Sequence, residues 1–246
     1  MPRLRESKPL KDASVFSVEE VNGLLKTRYG PFRWVQRYKP ITELVYTILS
    51  QHTSDLNSQR AGDILFNKFG SWESVTEAPL SVIEETIRSA GLSKQKAPRI
   101  KGALQTILTL RGSLNLDFLA GLPLDEAKSW LRQLPGVGPK TTAIVLCFAL
   151  GMPAMPVDTH IYRVAQRLGL IGRKVTADQA HDLLEAKVAP EDVFEFHLLL
   201  INHGRNVCKA RTPLCQECTL ATLCPSMNKF TKMKNRKTTK NTSYDA

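Results

Sequence analysis

The most informative stretch of the chain is Leu134-Pro135-Gly136-Val137-Gly138-Pro139-Lys140-Thr141. A helical pattern ends near Gln133, and Pro139 suits the first turn of a following helix. The glycines at 136 and 138 allow a sharp turn and a close approach of the backbone to a ligand. The N–H groups at the start of the second helix form an anion site that suits a phosphate. The stretch is therefore either a phosphate-binding helical hairpin or an ordinary connection between two helices.

Helical patterns continue on both sides of this stretch. Ser17 followed by Glu20 is a capping-box signature and predicts a helix that ends near Arg28. Apolar residues recur at helical spacing in Ile41, Leu44, Val45, Ile48 and Leu49, and again in Ile161, Val164, Ala165 and Leu168. Further helices are expected near 55–69, 81–89, 94–110, 124–132, 139–150, 177–187 and 191–203. Because no segment alternates convincingly with a period of two, the sequence predicts an all-α fold.

Composition limits the class of protein. The chain has 246 residues, of which 42% are hydrophobic, so it can bury a sizeable core. It contains no apolar run of about 18 residues, and its basic start at 1–11 lacks the apolar core of a signal peptide. We therefore expect a soluble intracellular protein with no membrane partner.

The net charge of +11 is concentrated at the two ends of the chain. Residues 1–11 carry four basic residues against one acidic residue, and residues 228–246 carry six against one. The second segment is rich in Lys, Thr and Asn and is expected to be a disordered basic tail. These ends are either DNA-seeking arms or plain solubilising segments.

Four cysteines, Cys208, Cys215, Cys218 and Cys224, follow the spacing C-x6-C-x2-C-x5-C, whereas Cys147 stands alone in an apolar helix. Disulfides are disfavoured in an intracellular protein. A structural zinc site is possible, but such sites usually pair two C-x2-C knuckles. The compact run favours an iron–sulfur cluster. Metal–thiolate bonds would fold a segment that has few apolar residues, and they would hold Arg205 at a surface that contacts phosphates.

Two residues are candidates for chemistry. Lys140 lies in the first turn of a helix, where the helix dipole disfavours a cation. We expect the dipole and partial desolvation by the apolar helix to favour the neutral amine that a nucleophile requires; alternatively, the side chain reaches solvent and binds phosphate. Asp158 begins the helix that contains Ile161, where aspartate is a good N-cap. It could both cap the helix and catalyse.

Together, the hairpin with Lys140, the sequence Val157-Asp158-Thr159-His160 and the His203-Gly204-Arg205 that leads into the cysteines resemble the endonuclease III family. The resemblance extends from about Val18 to Cys224 and includes that family's iron–sulfur spacing. It implies a [4Fe-4S] cluster on the four cysteines. It also implies a six-helix domain at 41–151 with the hairpin, a second domain from 1–40 plus 152–227, and double-stranded DNA in the cleft between them.

The resemblance also implies the reaction. Lys140 would attack C1′ of a flipped damaged nucleotide and form a Schiff base, which permits β-elimination and strand cleavage. Asp158 would assist the lysine and stabilise positive charge on the sugar. Gly136, Val137, Gly138 and Thr141 would contact the DNA. Adenine-removing relatives lack the lysine, so we expect a bifunctional DNA glycosylase and AP lyase. It would act as a monomer on DNA with damaged bases or abasic sites. We expect it inside the cell and associated with DNA, in the cytoplasm or nucleoid if the cell is bacterial or archaeal.

One segment departs from the family. Residues 49–55, Leu-Ser-Gln-His-Thr-Ser-Asp, resemble the part that fills the gap left by the flipped base. The family has glutamine where His52 falls, with Gln51 one place earlier, and both side chains can hydrogen-bond an orphaned base. Oxidised pyrimidines are therefore the substrates implied by the resemblance, and a mismatch thymine or uracil glycosylase is the alternative. A catalytically silent DNA-binding module is the rival from another class, because only Lys140 and Asp158 argue for chemistry.

Overall fold

The computed structural model describes residues 17–230. These residues form eleven α-helices. The helices are α1 Val18–Tyr29, α2 Pro40–Ser50, α3 Asp55–Phe69, α4 Trp72–Glu77, α5 Leu80–Thr86, α6 Ser93–Arg111, α7 Leu124–Arg132, α8 Pro139–Ile144, α9 Thr159–Leu168, α10 Ala177–Glu185 and α11 Val193–Asn206. Short 3-10 turns lie at Arg88–Ala90, Asp117–Gly121, Pro190–Asp192 and Cys215–Glu217. The described chain has no strand, and the predicted all-α fold is confirmed.

The start of α1 shows how directly local sequence sets a helix boundary. The N–H of Glu20 donates to the Ser17 hydroxyl, and the N–H of Ser17 donates to the Glu20 carboxylate, both at 3.1 Å. Each bond satisfies a backbone donor that the first helical turn cannot satisfy by itself. The capping box predicted from these two residues is therefore confirmed.

The continuous helix predicted over 139–150 is wrong in its second half. The α-helix ends at Ile144, and Val145–Ala149 continue as a π-helical turn. Two side chains from outside the helix donate hydrogen bonds to carbonyl oxygens of this turn. Trp34 Nε1 donates to the carbonyl of residue 147 at 2.8 Å, and Gln36 Nε2 donates to that of residue 149 at 2.9 Å. Distant partners of this kind leave no pattern in the local sequence.

Sequence periodicity also missed α4 and the 3-10 turn at Asp117–Gly121. The first has six residues and the second has five, so neither completes two helical turns. A stripe of apolar residues needs about two turns to become visible.

The described residues divide into two compact units. The larger one consists of 31–159 and 176–198, and the smaller one consists of 17–30, 160–175 and 199–230. The boundaries expected from the sequence, at 41–151 and at 1–40 plus 152–227, stay a prediction. The predicted disordered tail at 228–246 is wrong at its start, because residues 228–230 lie in a helical turn; from 231 onward it lies outside the described residues.

The larger unit is built on one apolar core that supports the hairpin. Ile48 of α2, Leu65 of α3 and Leu104 of α6 are fully buried in it. The same core takes Leu134 and Val137 from the turn between α7 and α8, with exposed fractions of 3% and 7%. The turn is thus anchored by apolar side chains on either side of Gly136.

The smaller unit buries Val21 and Leu25 of α1, Ile161 and Val164 of α9, and Leu220 of the cysteine segment. Within the described part of the chain, no helix combines the length and the apolar character that crossing a membrane requires.

Candidate active site and cysteine cavity

The two glycines of the hairpin turn differ in backbone conformation and in the space around them. Gly136 has a φ of +76°, in the left-handed region, and a Cβ at this position would lie 2.7 Å from Arg99 Cδ. Gly138 has a φ of −97° and caps α8, and a Cβ there would meet nothing within 4 Å. Gly136 therefore makes the turn, whereas Gly138 leaves open space beside the start of α8.

Gln51 joins its own turn to the hairpin. Its Nε2 donates to the carbonyl oxygen of Gly136 at 3.1 Å and to Thr141 Oγ1 at 3.3 Å. Its Oε1 accepts a hydrogen bond from Arg99 Nη1 at 3.1 Å. The amide predicted to meet an orphaned base is thus engaged within the protein. The neighbouring His52 is exposed.

Two of the other predicted DNA contacts are buried side chains. Val137 is 7% exposed and Thr141 is 4% exposed. Contact between these residues and DNA therefore has to use their backbone atoms, as phosphate binding at a helix start does.

Lys140 is the second residue of α8, in the first helical turn, as predicted. It is exposed, although Thr141, Thr142 and Ala143, which follow it, are buried. The expectation that the apolar helix partly desolvates this lysine is therefore wrong. The residues that follow Lys140 in the helix face the core, and the Lys140 side chain lies at the surface.

Asp158 is half-buried and directly precedes α9. The backbone at 155–157 that leads to it is held by three side chains. Glu185 Oε2 accepts the N–H of residue 155 at 3.0 Å, and His181 Nδ1 lies 3.2 Å from the nitrogen of residue 157. His197 Nδ1 lies 2.9 Å from the carbonyl oxygen of residue 156. Asp158 thus ends a segment whose three preceding residues are each fixed by a side chain.

His197 connects the two candidate catalytic residues electrostatically. Burial lowers the pKa of this imidazole to about 4, opposed by its hydrogen bond to the carbonyl of Pro156. The negative charge of Asp158 raises the pKa of His197, and the positive charges of Lys140 and Arg37 lower it. Lys140 and Asp158 therefore lie close enough to act on one buried ring, which is neutral at neutral pH.

The four cysteines of the C-x6-C-x2-C-x5-C run line one cavity of the smaller unit, together with Arg167 and His203. Burial, with smaller contributions from Cys208, Cys224 and Cys215, raises the pKa of Cys218 to about 11. A site of this kind disfavours free thiolates but suits them once a soft cation binds. Within the described residues, no three His, Cys, Asp or Glu side chains converge as ligands of a single metal ion.

Two arginines of α9 hold the backbone of the cysteine segment. Arg163 donates to the carbonyl oxygens of Cys208 at 2.9 Å and Gly204 at 2.8 Å. Arg167 donates to the carbonyl oxygens of Lys209 and Ala210, both at 2.8 Å, and its Nη1 lies 3.3 Å from Cys208 Sγ. These bonds compensate for the few apolar residues of the segment.

The sequence matches the HhH-GPD superfamily of base excision DNA repair proteins over residues 45–190, more than half of the chain. Endonuclease III of Bacillus subtilis is 36% identical over 185 residues, which span 75% of this chain and 80% of that protein. The chain belongs to the endonuclease III family of this superfamily.

Other comparisons agree with this placement. A protein of Arabidopsis thaliana, described provisionally as a DNA glycosylase, is 39% identical over 162 residues, or 66% of this chain and 55% of that protein. A trapped covalent endonuclease III–DNA intermediate has a TM-score of 0.73 at 28% identity and covers 87% of this chain and 98% of that chain. A thermostable thymine-DNA glycosylase has a TM-score of 0.68 at 26% identity, covering 86% and 95%.

Membership in the endonuclease III family makes this protein a base excision repair DNA glycosylase and lyase. It is an enzyme, not the catalytically silent DNA-binding module that the sequence left as a rival. The structure brings the residues predicted for catalysis and the hairpin into the larger unit of the glycosylase. The four cysteines and the exposed Arg205 lie in the smaller unit.

Sequence reasoning missed Leu92. This leucine is 47% exposed and has a φ of 49°. Among the described residues, His52, with a φ of 55°, is the one other non-glycine residue with a positive φ. Gly91-Leu92 ahead of the pattern at 94–110 marks a helix start, but a left-handed leucine has no sequence signal.

Proposed function

We propose that Lys140 is the nucleophile of this glycosylase and that Asp158 supports it. The Lys140 amine bonds to C1′ of the flipped nucleotide while the electrons of the glycosidic bond leave with the base. The amine loses a proton, the C1′–O4′ bond then opens as O4′ takes up a proton, and a Schiff base forms between Lys140 and C1′. The Schiff base acidifies C2′, and loss of a proton there expels the 3′ phosphate by breaking the C3′–O bond, which is β-elimination. The observation that carries this proposal is the placement of the two residues in the larger unit: Lys140 is exposed in the first turn of α8, and the half-buried Asp158 directly precedes α9.

The fixed backbone at 155–157 explains how Asp158 would act. A carboxylate stabilises positive charge on a sugar best when it is already in place and needs no reorganisation. The bonds from Glu185, His181 and His197 supply that fixed position.

Chemistry at C1′ requires the nucleotide to leave the stack, because the glycosidic carbon is inaccessible inside a duplex. We propose that His52 and Leu92 occupy the gap that it leaves. Both side chains are exposed, on neighbouring turns of the larger unit. His52 can hydrogen-bond an orphaned base or stack against it, and Leu92 supplies an apolar wedge.

The proposed substrates are oxidised pyrimidines in double-stranded DNA, as the placement in the endonuclease III family favours. A thymine or uracil opposite guanine is the second candidate. Two points support it: the resemblance places His52 where the family has glutamine, and the fold is similar to that of a thymine-DNA glycosylase. Base release from a panel of duplexes with single lesions would rank the two classes.

We propose that Cys208, Cys215, Cys218 and Cys224 hold a [4Fe-4S] cluster. Four thiols around one cavity are a suitable donor set, and each would bind a different iron. The compact spacing favours a cluster over zinc, whose all-cysteine sites usually pair two C-x2-C knuckles. The cluster would supply folding energy to the segment and, with Arg205 held beside it, help to bind phosphates.

The test of the proposed chemistry is reductive trapping. Borohydride added during turnover of abasic DNA should link the wild-type protein to DNA by reducing the Schiff base. Lys140→Gln keeps much of the side-chain length but cannot form that bond, so trapping and β-elimination should both vanish while DNA binding persists. Asp158→Asn keeps a good N-cap, so α9 should lose little stability while the rate falls at least ~100-fold. A folded Lys140→Gln protein that still traps efficiently would overturn the assignment.

A further inference from the structure

Lys96 of α6 is a lysine buried without a carboxylate among its hydrogen-bond acceptors. Its side chain is 1% exposed, whereas lysines are almost never fully buried unless they are paired. Its Nζ donates to the carbonyl oxygen of Leu49 at 2.7 Å and to that of Ala90 at 2.8 Å. The third bond goes to Thr53 Oγ1 at 2.8 Å. An ammonium has three donors, and all three are used.

The three acceptors belong to two different turns. Leu49 and Thr53 flank the turn that carries His52, and Ala90 lies two residues before Leu92. The Thr53 hydroxyl also donates to the carbonyl oxygen of Ala90, so it joins the turns directly as well. Lys96 is therefore the point at which the two turns meet.

These are also the two strained turns of the described chain. His52 and Leu92 are its two non-glycine residues in the left-handed region, with φ of 55° and 49°. Such residues cost conformational free energy and persist only where the surrounding structure fixes them. Lys96 supplies that fixation to both turns at once.

We propose that Lys96 is a positioning residue that sets His52 and Leu92 at a fixed separation, so that both enter the duplex together when the nucleotide flips. The proposal rests on the gap-filling role proposed for these two side chains. Two independent loops would each lose freedom on binding DNA, whereas two turns already bound to one ammonium enter in the right arrangement. Burial lowers the pKa of Lys96 to about 8, so the ammonium that makes these three hydrogen bonds is still the main form at neutral pH.

Lys96→Met tests the proposal, because methionine fills a similar volume but has no donor. The control is Lys101→Met on the same helix, where Nζ donates to the carbonyl oxygen of Ala78 at 2.7 Å, away from both turns. Two substrates separate positioning from chemistry. Base removal from a lesion duplex requires flipping, and β-elimination at an abasic site in single-stranded DNA does not.

We expect Lys96→Met to lower kcat/KM on the lesion duplex by about 100-fold, the scale of a misplacement of about 1 Å. Its β-elimination on single-stranded abasic DNA should be unchanged, and Lys101→Met should change neither activity. Equal losses on both substrates would show that Lys96 only holds the fold together, and the proposal would then be wrong. If Lys96→Met does not fold, Thr53→Val decides the matter by removing one acceptor without exposing a charge. It should show the same duplex-only loss, smaller in size, and an unaltered duplex rate would overturn the proposal.

A double-mutant cycle with His52→Ala plus Leu92→Ala identifies the residues through which Lys96 acts. In that background Lys96→Met should have no further effect on the duplex, because interacting sites are not additive. An undiminished effect there would contradict the proposal. If Lys140→Gln loses trapping while His52→Ala plus Leu92→Ala keeps normal duplex activity, the gap-filling role of His52 and Leu92 would be wrong. The assignment of Lys140 as the nucleophile would still stand. The two hypotheses can therefore fail separately.

Discussion

Gly136→Ala and Gly138→Ala make the same chemical change two residues apart, and the structure predicts opposite outcomes. At Gly136 the φ of +76° costs a non-glycine residue about 1–2 kcal/mol. The new Cβ would lie 2.7 Å from Arg99 Cδ and 2.8 Å from its Cβ and Cγ. Because Arg99 Cβ is fixed to the backbone of α6, rotation of the side chain cannot relieve that contact, and overpacking adds about 1–3 kcal/mol.

The free energy of unfolding should therefore fall by about 2–5 kcal/mol in Gly136→Ala, which lowers the melting temperature by on the order of 10 °C. At Gly138 the φ of −97° suits alanine, and no heavy atom lies within 4 Å of the added Cβ. Alanine also restricts the unfolded chain, so Gly138→Ala should leave the stability within about 1 kcal/mol of the wild type.

DNA binding should be impaired in Gly138→Ala, the variant whose stability is expected to stay close to that of the wild type. The Cβ of Gly138→Ala occupies the open space beside the start of α8, where we expect a phosphate. The Kd for a duplex with an uncleavable abasic analogue, measured by fluorescence anisotropy, should rise at least about 10-fold, since a hydrogen bond to a charged group contributes about 1.5–3 kcal/mol. If Gly138→Ala binds like the wild type, or destabilises the protein as much as Gly136→Ala, the assignment of the two glycines is wrong.

Three further predictions concern the cysteines, the tail and the buried histidine. Protein purified without oxygen should be yellow-brown with about four irons and four sulfides per chain, and Cys215→Ser should lose cluster and soluble expression together; stoichiometric zinc without sulfide would contradict this. Deleting residues 228–246 should reduce the slope of log affinity against log salt by about 0.9 for each phosphate that the tail neutralises, and an unchanged slope would make the tail a solubilising end. Because the pKa of His197 falls from 6.5 to about 4 on folding, the unfolded chain takes up its proton first. The free energy of unfolding should thus decline as the pH drops from 6.5 towards 4, by up to about 3 kcal/mol. In urea titrations His197→Gln should lack that part of the decline, and identical pH profiles would refute it.

Features that depend on short stretches of sequence could be predicted. The hairpin needs only adjacent residues, with Gly136 for the turn and Pro139 for the helix start. The C-x6-C-x2-C-x5-C run could likewise be recognised from sequence alone, because all four cysteines lie within 17 residues. The structure adds which glycine has no room for a Cβ and which one has. That difference depends on Arg99, which contacts a Cβ built at Gly136 and lies far from it in the sequence.

Features that depend on tertiary packing could not be predicted. Lys96 looks like one more cation of a basic amphipathic helix, and only the fold shows that two turns close over it. Gln51 was expected to face DNA, but its amide is satisfied by the hairpin and by Arg99. Lys140 was expected to be partly desolvated by its helix, yet the helix buries the residues that follow and leaves the lysine exposed.

The central claim is that the amine of Lys140 forms the covalent bond to DNA. The most direct measurement is to reduce the wild-type reaction on abasic DNA with borohydride, digest the adduct with a protease and a nuclease, and locate the modified residue by mass spectrometry. The account predicts one adduct, on the peptide that contains Lys140, with the sugar fragment attached at Nζ. An adduct on the N-terminal amine, on Lys96 or on any other lysine would contradict it.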